Sequence, residues 1–403
     1  MKISCLTFLL IPFLLFQNTV ASAFVLTDRA EISILTCSAG DEAYSVYGHS
    51  AIRVKDASYD YDVVFNYGIF DFNTPNFMYR FVSGQTDYLL GAYKFSVFFD
   101  DYVASQRSIF EQVLNLTQSE KQKVFDFLLW NAKPENRVYR YNFLFDNCAT
   151  RIRDVVMEQS DGEVLFPENT GNRKTYRQLI KEYHSKLLWM NFGVDLIVGA
   201  PADKRAPLFD EMFLPDYLMG HFANSKIKTG SATRPLVKSS RVIYQAPGLK
   251  FPGSGLTSPF LVFGLLLAVV VYISVRQFRE KKISYRADYI VFGINGLMGI
   301  IMLWLALYSE HPAMHPNYNL VWAIPLNFVF VFVWKIKKWR PVTRYYFVLV
   351  SGWLLLFFLF GIFLPQEFHV VFYLLAFIVF ARSVLHSILI FRGRRFPSSP
   401  KLS

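Results

Sequence analysis

One cysteine, one histidine and one asparagine are placed where they could act together on a carbonyl group. Cys148 follows Asn142-Phe143-Leu144-Phe145-Asp146-Asn147, which reads as strand or loop, and after it Ile152, Val155 and Val156 recur at helical spacing. A thiol at a helix N-terminus lies beside free backbone N–H groups and the positive end of the helix dipole, both of which favour thiolate. The same N–H groups could hold an oxyanion. His49 opens the strand-like run Tyr47-Gly48-His49-Ser50-Ala51-Ile52-Arg53-Val54, and Asn66 lies in a second, Tyr61-Asp62-Val63-Val64-Phe65-Asn66-Tyr67, with Gly68 expected to break it. A simple hairpin turning over residues 55–60 sets Val54 opposite Tyr61 and His49 opposite Asn66, with Cβ atoms about 5 Å apart. Asn66 then fixes one imidazole tautomer, Asp62 being the alternative partner, and a one-residue slip would undo the pairing. In that arrangement His49 accepts the thiol proton, Cys148 attacks, and the Cys148 N–H steadies the oxyanion. The plainer alternatives are a satisfied strand-end histidine and a cysteine that is a small core residue or half of a disulfide.

Composition restricts where such a site would work. The 403-residue chain is 53% hydrophobic and 18% aromatic with a formal net charge of +11, too apolar for one soluble domain. The first half is mixed and polar, whereas long uncharged runs begin near Ser258. Basic residues cluster between those runs, so the positive balance sets topology and does not call for nucleic acid. Residues 1–23 have the form of a secretory signal: Lys2, an apolar core over residues 8–16 too short to span a bilayer, and Ala21-Ser22-Ala23 as a cleavage site. Its removal takes Cys5 with it and leaves Cys37 and Cys148, which an oxidising compartment could pair.

The elements between are expected as follows. Glu31-Ile32-Ser33-Ile34-Leu35-Thr36-Cys37 alternates as a strand. Residues 71–81 are aromatic around a Thr74-Pro75-Asn76 turn, and residues 84–99 read mostly as strand; these aromatics fit a core, with some able to line an acyl groove. Thr117-Gln118-Ser119-Glu120 is a capping box, and the helix it opens should end near Asn131-Ala132-Lys133-Pro134. A further helix is expected over residues 175–188. His184 and His221 lack metal-ligand spacing and read as ordinary residues. Residues 226–250 are small and basic and read as the approach to a linker, 251–258. The extracytoplasmic domain is thus 24–250.

Five apolar segments follow, 259–275, 289–308, 320–334, 345–364 and 369–390, within a membrane domain of 259–395 and before a tail of 396–403. Arg276, Arg279, Lys281, Lys282 and Arg286 stand after the first, Lys335, Lys337, Lys338, Arg340 and Arg344 after the third, and Arg392, Arg394 and Arg395 at the end; the other two connections have no Lys or Arg. The alternation places the large domain and Cys148 outside and the C-terminus in the cytoplasm. Arg382 is expected to snorkel from the last span. The outward loop His311-Pro312-Ala313-Met314-His315-Pro316-Asn317-Tyr318-Asn319 sets His311, His315, Asn317 and Asn319 at the outer interface. They suit substrate or headgroup contact, or equally plain interfacial polarity, better than a metal, because the prolines oppose the helix that would bring both histidines together.

A strand histidine ahead of a helix-starting cysteine is a papain-type dyad in permuted chain order. Tyr47-Gly48-His49-Ser50-Ala51-Ile52-Arg53, Asn66-Tyr67-Gly68-Ile69-Phe70-Asp71-Phe72 and the run from Tyr141 through Cys148 to Asp154 resemble the motifs of the Lnb family, the Bacteroides-type lipoprotein N-acyltransferases. The resemblance covers the outer domain and, more loosely, the membrane half with its His/Asn loop. It implies an α+β fold with a permuted papain-like (NlpC/P60-like) domain and a helical membrane domain, without a cofactor. It also implies an inner-membrane acyltransferase that moves a fatty acyl chain, from a phospholipid donor through a Cys148 thioester, to the α-amine of a diacylated lipoprotein. Two other classes use the same residues differently: a membrane-tethered thiol hydrolase with water as acceptor, and a scaffold held by a Cys37–Cys148 disulfide.

Overall fold

The computed structural model describes residues 24–71, 73–167, 171, 173–248, 257–281, 284–334 and 336–391. The expected secretory signal, most of the expected linker, Lys282, Lys335 and the basic C-terminal tail lie outside the described residues. The elements of the first half are β1 Ala30–Cys37, β2 His49–Asp56, β3 Tyr61–Ile69, α1 Phe77–Val82, β4 Asp87–Lys94, α2 Phe95–Ala104, β5 Ile109–Leu114, α3 Gln118–Asn131, β6 Val138–Arg140 and α4 Cys148–Gln159. There follow β7 Glu163–Leu165, α5 Tyr176–His184, α6 Leu188–Ile197, α7 Leu208–Glu211, α8 Pro215–Asn224, β8 Lys226–Thr229, β9 Ala232–Pro235 and β10 Val237–Tyr244. The membrane half holds α9 Pro259–Glu280, α10 Arg286–Tyr308, α11 Leu326–Val333, α12 Arg340–Phe360 and α13 Val370–Phe391.

Seven antiparallel strands form one sheet in the order β10-β5-β1-β2-β3-β4-β6. Alternation along the strands sends Ile32, Ile34, Ile52, Val54, Phe65 and Tyr67 to one face, where Val124, Phe125 and Leu128 of α3 and Ile152, Val155 and Val156 of α4 pack. Leu35, Cys37, Ala51 and Val64 pack with Phe98 of α2 in a separate cluster. α3 begins at the expected capping box, Thr117 and Glu120 each satisfying the other's backbone N–H, and ends at Asn131. A cap of this kind contributes about 1 kcal/mol.

Several expectations are corrected. Residues 84–99 divide into β4 and the helix α2, because Phe95, Phe98, Phe99 and Tyr102 recur at helical and not strand spacing and their rings pack together. Residues 226–248 are not the approach to a linker: β8 and β9 form a hairpin, and β10 is the edge strand beside β5. Its polar Lys238, Ser239, Ser240 and Arg241 concealed it, and such residues are what an exposed edge tolerates. The helix expected over 175–188 ends at His184, and a second, α6, starts at Leu188.

Among the described residues, four helices are long and apolar enough to cross a membrane: Pro259–Glu280, Arg286–Tyr308, Tyr345–Phe363 and Val370–Leu389. The remaining expected span is broken. A 3-10 turn, Tyr318–Val321, precedes Pro325, and α11 beyond it has only eight residues. Irregular backbone at such a depth requires protein partners in place of water. Asn295 supplies them: its Nδ2 donates to the Trp322 carbonyl, and its Oδ1 accepts from Ile324 N–H and Asn327 Nδ2. Gly296 and Gly299 let the broken segment lie directly on α10, since a Cβ on Gly296 would stand 2.0 Å from the Phe328 nitrogen and one on Gly299 2.5 Å from the Ala323 carbonyl oxygen. Arg382 does not snorkel. It is fully buried, with Nε and Nη2 donating to Asp288 at 2.6 and 2.9 Å and further hydrogen bonds to Ser274 and Gln277 of α9 and to the Ser284 carbonyl.

The two halves are docked on each other. Asn317 Nδ2 donates to the Leu196 and Ile197 carbonyls and Asn319 Nδ2 to those of Asp195 and Leu196, so the loop after α10 caps the free carbonyl end of α6. Lys181 of α5 pairs with Glu367 ahead of α13.

Candidate active site

The site is assembled where the start of β2, the end of β3 and the N-terminus of α4 meet. Helix α4 starts at Cys148 because Asn147 caps it: its Oδ1 accepts from the N–H groups of Ala149 and Thr150 at 2.9 and 3.0 Å, while Thr150 Oγ1 accepts from Asn147 N–H. Asn147 Nδ2 donates to the Phe143 and Phe213 carbonyls, which fixes the cap to the surrounding loops. The Cys148 N–H is first in the helix and has no acceptor within it.

His49 and Asn66 meet, by a register other than the expected one. Asp56 pairs with Tyr61 and Val54 with Val63, a shift of two residues from the expected ladder. A shift of two retains the face, where a shift of one would have reversed it. Asp56 extends the strand because its carboxylate is held by Thr27 and Ser58 and does not enter the turn. His49 Nε2 donates to Asn66 Oδ1 at 2.5 Å. The direction follows from Asn66 itself, whose Nδ2 donates to the Tyr93 hydroxyl at 2.6 Å and so leaves only its oxygen for the imidazole. The proton on Nε2 leaves the Nδ1 lone pair as the base. Asp62 is not the orienter: both its oxygens accept from Arg53.

Gly68 brings base and thiol together. It does not end β3; the strand passes through it with φ +95° at an irregular register between Asn66 and Ile69. A methyl group there would lie 3.7 Å from Cε1 of His49 and 3.8 Å from Cβ of Cys148, so the bare glycine is the wall they share.

Burial opposes the pull of the helix end toward thiolate. Burial pushes the Cys148 thiol above its ordinary value, and the N–H groups of Ser50, Ala149 and Cys148 facing the sulfur only reduce that rise. Burial lowers His49 to about 4, with Asn66 opposing and the nearby Arg107 charge adding to the fall. The resting pair is therefore a neutral thiol beside a neutral imidazole, suited to deprotonation in step with attack.

Cys37 lies directly across the ladder from His49, and both cysteines are free. Cys37 is wholly buried and pushed up to about 12, whereas Cys148 is partly accessible. In the folded protein iodoacetamide is expected to label Cys148 on the order of 100-fold faster than Cys37, a ratio that denaturant removes. Peptide mapping after brief labelling checks this, and equal labelling of the two would contradict the burial of Cys37.

The other expected residues are distributed differently. His311 Nε2 donates to the Phe81 carbonyl at 2.9 Å, which ties the loop after α10 to α1. His315 is exposed, and Asn317 and Asn319 are occupied with the end of α6. His184 is fully buried against the Tyr47 ring, and His221 lies 3.2 Å from a Glu211 oxygen. Arg151 holds Asp146 through two hydrogen bonds and lies over the Tyr139 ring, supporting the loop before the thiol. Four contributors were missed in the sequence: Asn147, Ser50, Gly68 and Tyr93. Asn147 was open to detection, as a favoured capping residue immediately before a helix. Tyr93 carried no local signal, because its role depends on the pairing of β3 with β4.

Two family models match the chain: the Lnb N-terminal periplasmic domain over residues 17–182 and the Lnb transmembrane domain over residues 252–394. Neither a curated protein nor a solved structure matches it.

Proposed function

Because the chain belongs to the Lnb family, with a periplasmic N-terminal domain and a C-terminal transmembrane domain, we propose that it is a lipoprotein N-acyltransferase working through a Cys148 thioester. The observation that carries this is the neutral Cys148–His49–Asn66 constellation on a domain docked to membrane helices. His49 Nδ1 takes the thiol proton as the sulfur attacks the ester carbonyl of a phospholipid. The Cys148 N–H, with Ser50 N–H facing the same sulfur, steadies the tetrahedral oxyanion. Collapse breaks the ester C–O bond, and the lysophospholipid leaves with the proton from His49. In the second half the free α-amine of a diacylated lipoprotein attacks the thioester, His49 takes the amine proton, and the amide forms as the thiol is restored.

On this proposal the protein is a multi-pass inner-membrane protein with a cytoplasmic C-terminus, the side its basic connections favour. The thiol domain is papain-like with histidine ahead of cysteine, needs no cofactor or metal for these steps, and has lipid and lipoprotein, not nucleic acid, as partners. His315 is left exposed for an acceptor or headgroup.

The test uses the purified full chain, a phospholipid of defined acyl composition and a diacylated lipopeptide with a free α-amine. Intact mass spectrometry is expected to find one acyl group on Cys148, discharged to an amide when the lipopeptide is added. Release of free fatty acid with no amide would assign the site to a thiol hydrolase. No adduct on Cys148 in either case would rule out the thioester.

A further inference from the structure

Helix α1 and a row of rings behind it extend the candidate site to the bilayer. α1 is only six residues long and exposes the apolar residues Met78 (67%), Tyr79 (56%) and Phe81 (41%). Three large apolar side chains exposed on one short helix mark a contact with another phase or partner. Its position identifies which. The Tyr79 ring lies 5.5 Å from that of Trp304, near the end of the membrane-length helix α10, and Trp304 lies 6.2 Å from Tyr308 at its last residue. Aromatic residues at the end of a span sit at headgroup depth. The connection is reinforced by hydrogen bonds to the C-terminal carbonyls of α1 and its cap: Ser309 Oγ donates to Val82, Glu310 N–H to Ser83 and His311 Nε2 to Phe81. α1 is thereby held at the level of the aromatic belt.

From Phe81 a line of stacked rings leads inward. Phe81 and Phe77 lie 6.1 Å apart at 19°, Phe77 and Phe70 5.6 Å at 19°, Phe70 and Tyr88 4.9 Å at 28°, and Tyr88 and Tyr141 4.1 Å at 16°. Tyr88 and Tyr141 are near enough to Cys148 to feel a charge on its sulfur. The row is graded, with hydrocarbon rings at the membrane end and hydroxyl-bearing rings at the thiol end. An acyl ester has the same grading, an apolar tail and a polar carboxyl end.

We propose that α1 is a lip embedded in the periplasmic leaflet, and that the row Phe81–Phe77–Phe70–Tyr88–Tyr141 is the wall along which the acyl chain of a glycerophospholipid lies while its ester reaches Cys148. This deepens the acyltransferase proposal and rests on Cys148 being the acyl acceptor. Because the ring faces are stacked on one another, it is the edges of the row that meet methylene groups by dispersion, and each methylene removed from water adds to the preference for a long chain.

The test compares two acyl donors on the full chain in proteoliposomes: bilayer phosphatidylethanolamine with long acyl chains, and soluble p-nitrophenyl acetate. Acyl-Cys148 is followed by intact mass and p-nitrophenol release by absorbance. Met78→Asp and Phe77→Ala are each expected to reduce the rate of long-chain transfer relative to acetyl transfer by about tenfold or more. A wild-type ratio in both variants would overturn the proposal, as would equal loss of both activities, which would mark a purely structural role. A wild-type chain that reacts with p-nitrophenyl acetate but takes no acyl group from phospholipid would instead remove the donor on which the lip depends. Reaction with neither donor would remove the thiol reading altogether.

Discussion

Cys148→Ala is expected to lower N-acylation by on the order of 10⁴-fold or more, because it removes the nucleophile that the proposed thioester needs. In cells lacking another such enzyme, mass spectrometry of lipoprotein N-termini should show loss of one N-linked acyl chain. The fold should survive. Alanine is a favourable residue in the first turn of a helix, and Asn147 and Thr150, which fix the start of α4, remain in place. Cys148→Ser keeps the same geometry with a far less acidic hydroxyl and should recover little of the rate. Unchanged acylation in Cys148→Ala would end the thioester proposal, and lost acylation accompanied by lost protein would leave only a folding defect.

His49→Ala is expected to cost on the order of 10³-fold, the usual range for removing a positioned general base. The wild-type pH profile carries a sharper signature of the same residue. Burial holds His49 at about 4, so its neutral, proton-accepting form predominates at all pH values above that. The acid limb of kcat/KM should accordingly fall near pH 4, and not near the 6.5 of an exposed imidazole. The sign is fixed: activity is present above the depressed value and is lost as pH falls through it. Asn66→Asp places a carboxylate against Nε2 and favours the imidazolium, so it should move this limb upward. Asn66→Ala frees the ring to rotate and should lower the rate without that upward shift. An acid limb near 6.5 in the wild type would mean that the imidazole is solvated and not the buried base described.

How much the chain revealed beforehand depended on the range of each signal. Cys148 at a helix start, the Thr117–Glu120 box and the β1 alternation are local features, and they appear in the structure where the spacing put them. His49 and Asn66 meet as expected although the ladder is offset by two residues, because the period of a strand conserves the face. The role of Gly68 was read in reverse: a residue that commonly ends strands here bends one so that base and thiol can share a wall. The pull of the helix dipole toward thiolate is outweighed by burial, and burial is a property of the whole fold. β10 and the broken segment before α11 were misread for a related reason. An edge strand need not be apolar, and a run of apolar residues need not be one helix when Asn295 can satisfy its exposed backbone.

The Asp288–Arg382 pair bears on how the membrane half is put together. Arg382 is fully buried and depends on Asp288 from α10 and on Ser274 and Gln277 from α9, and His386 completes the group with Nε2 2.8 Å from Asp288. An unmatched charge among lipid tails costs at least several kcal/mol. α9 and α10 precede α13 in the chain, so the carboxylate and the guanidinium it holds come from helices far apart in sequence. The last helix is thus tied to the two before it through one buried ionic group, and Arg382→Leu, which leaves Asp288 without the guanidinium, is expected to loosen the packing of α13 on α9 and α10.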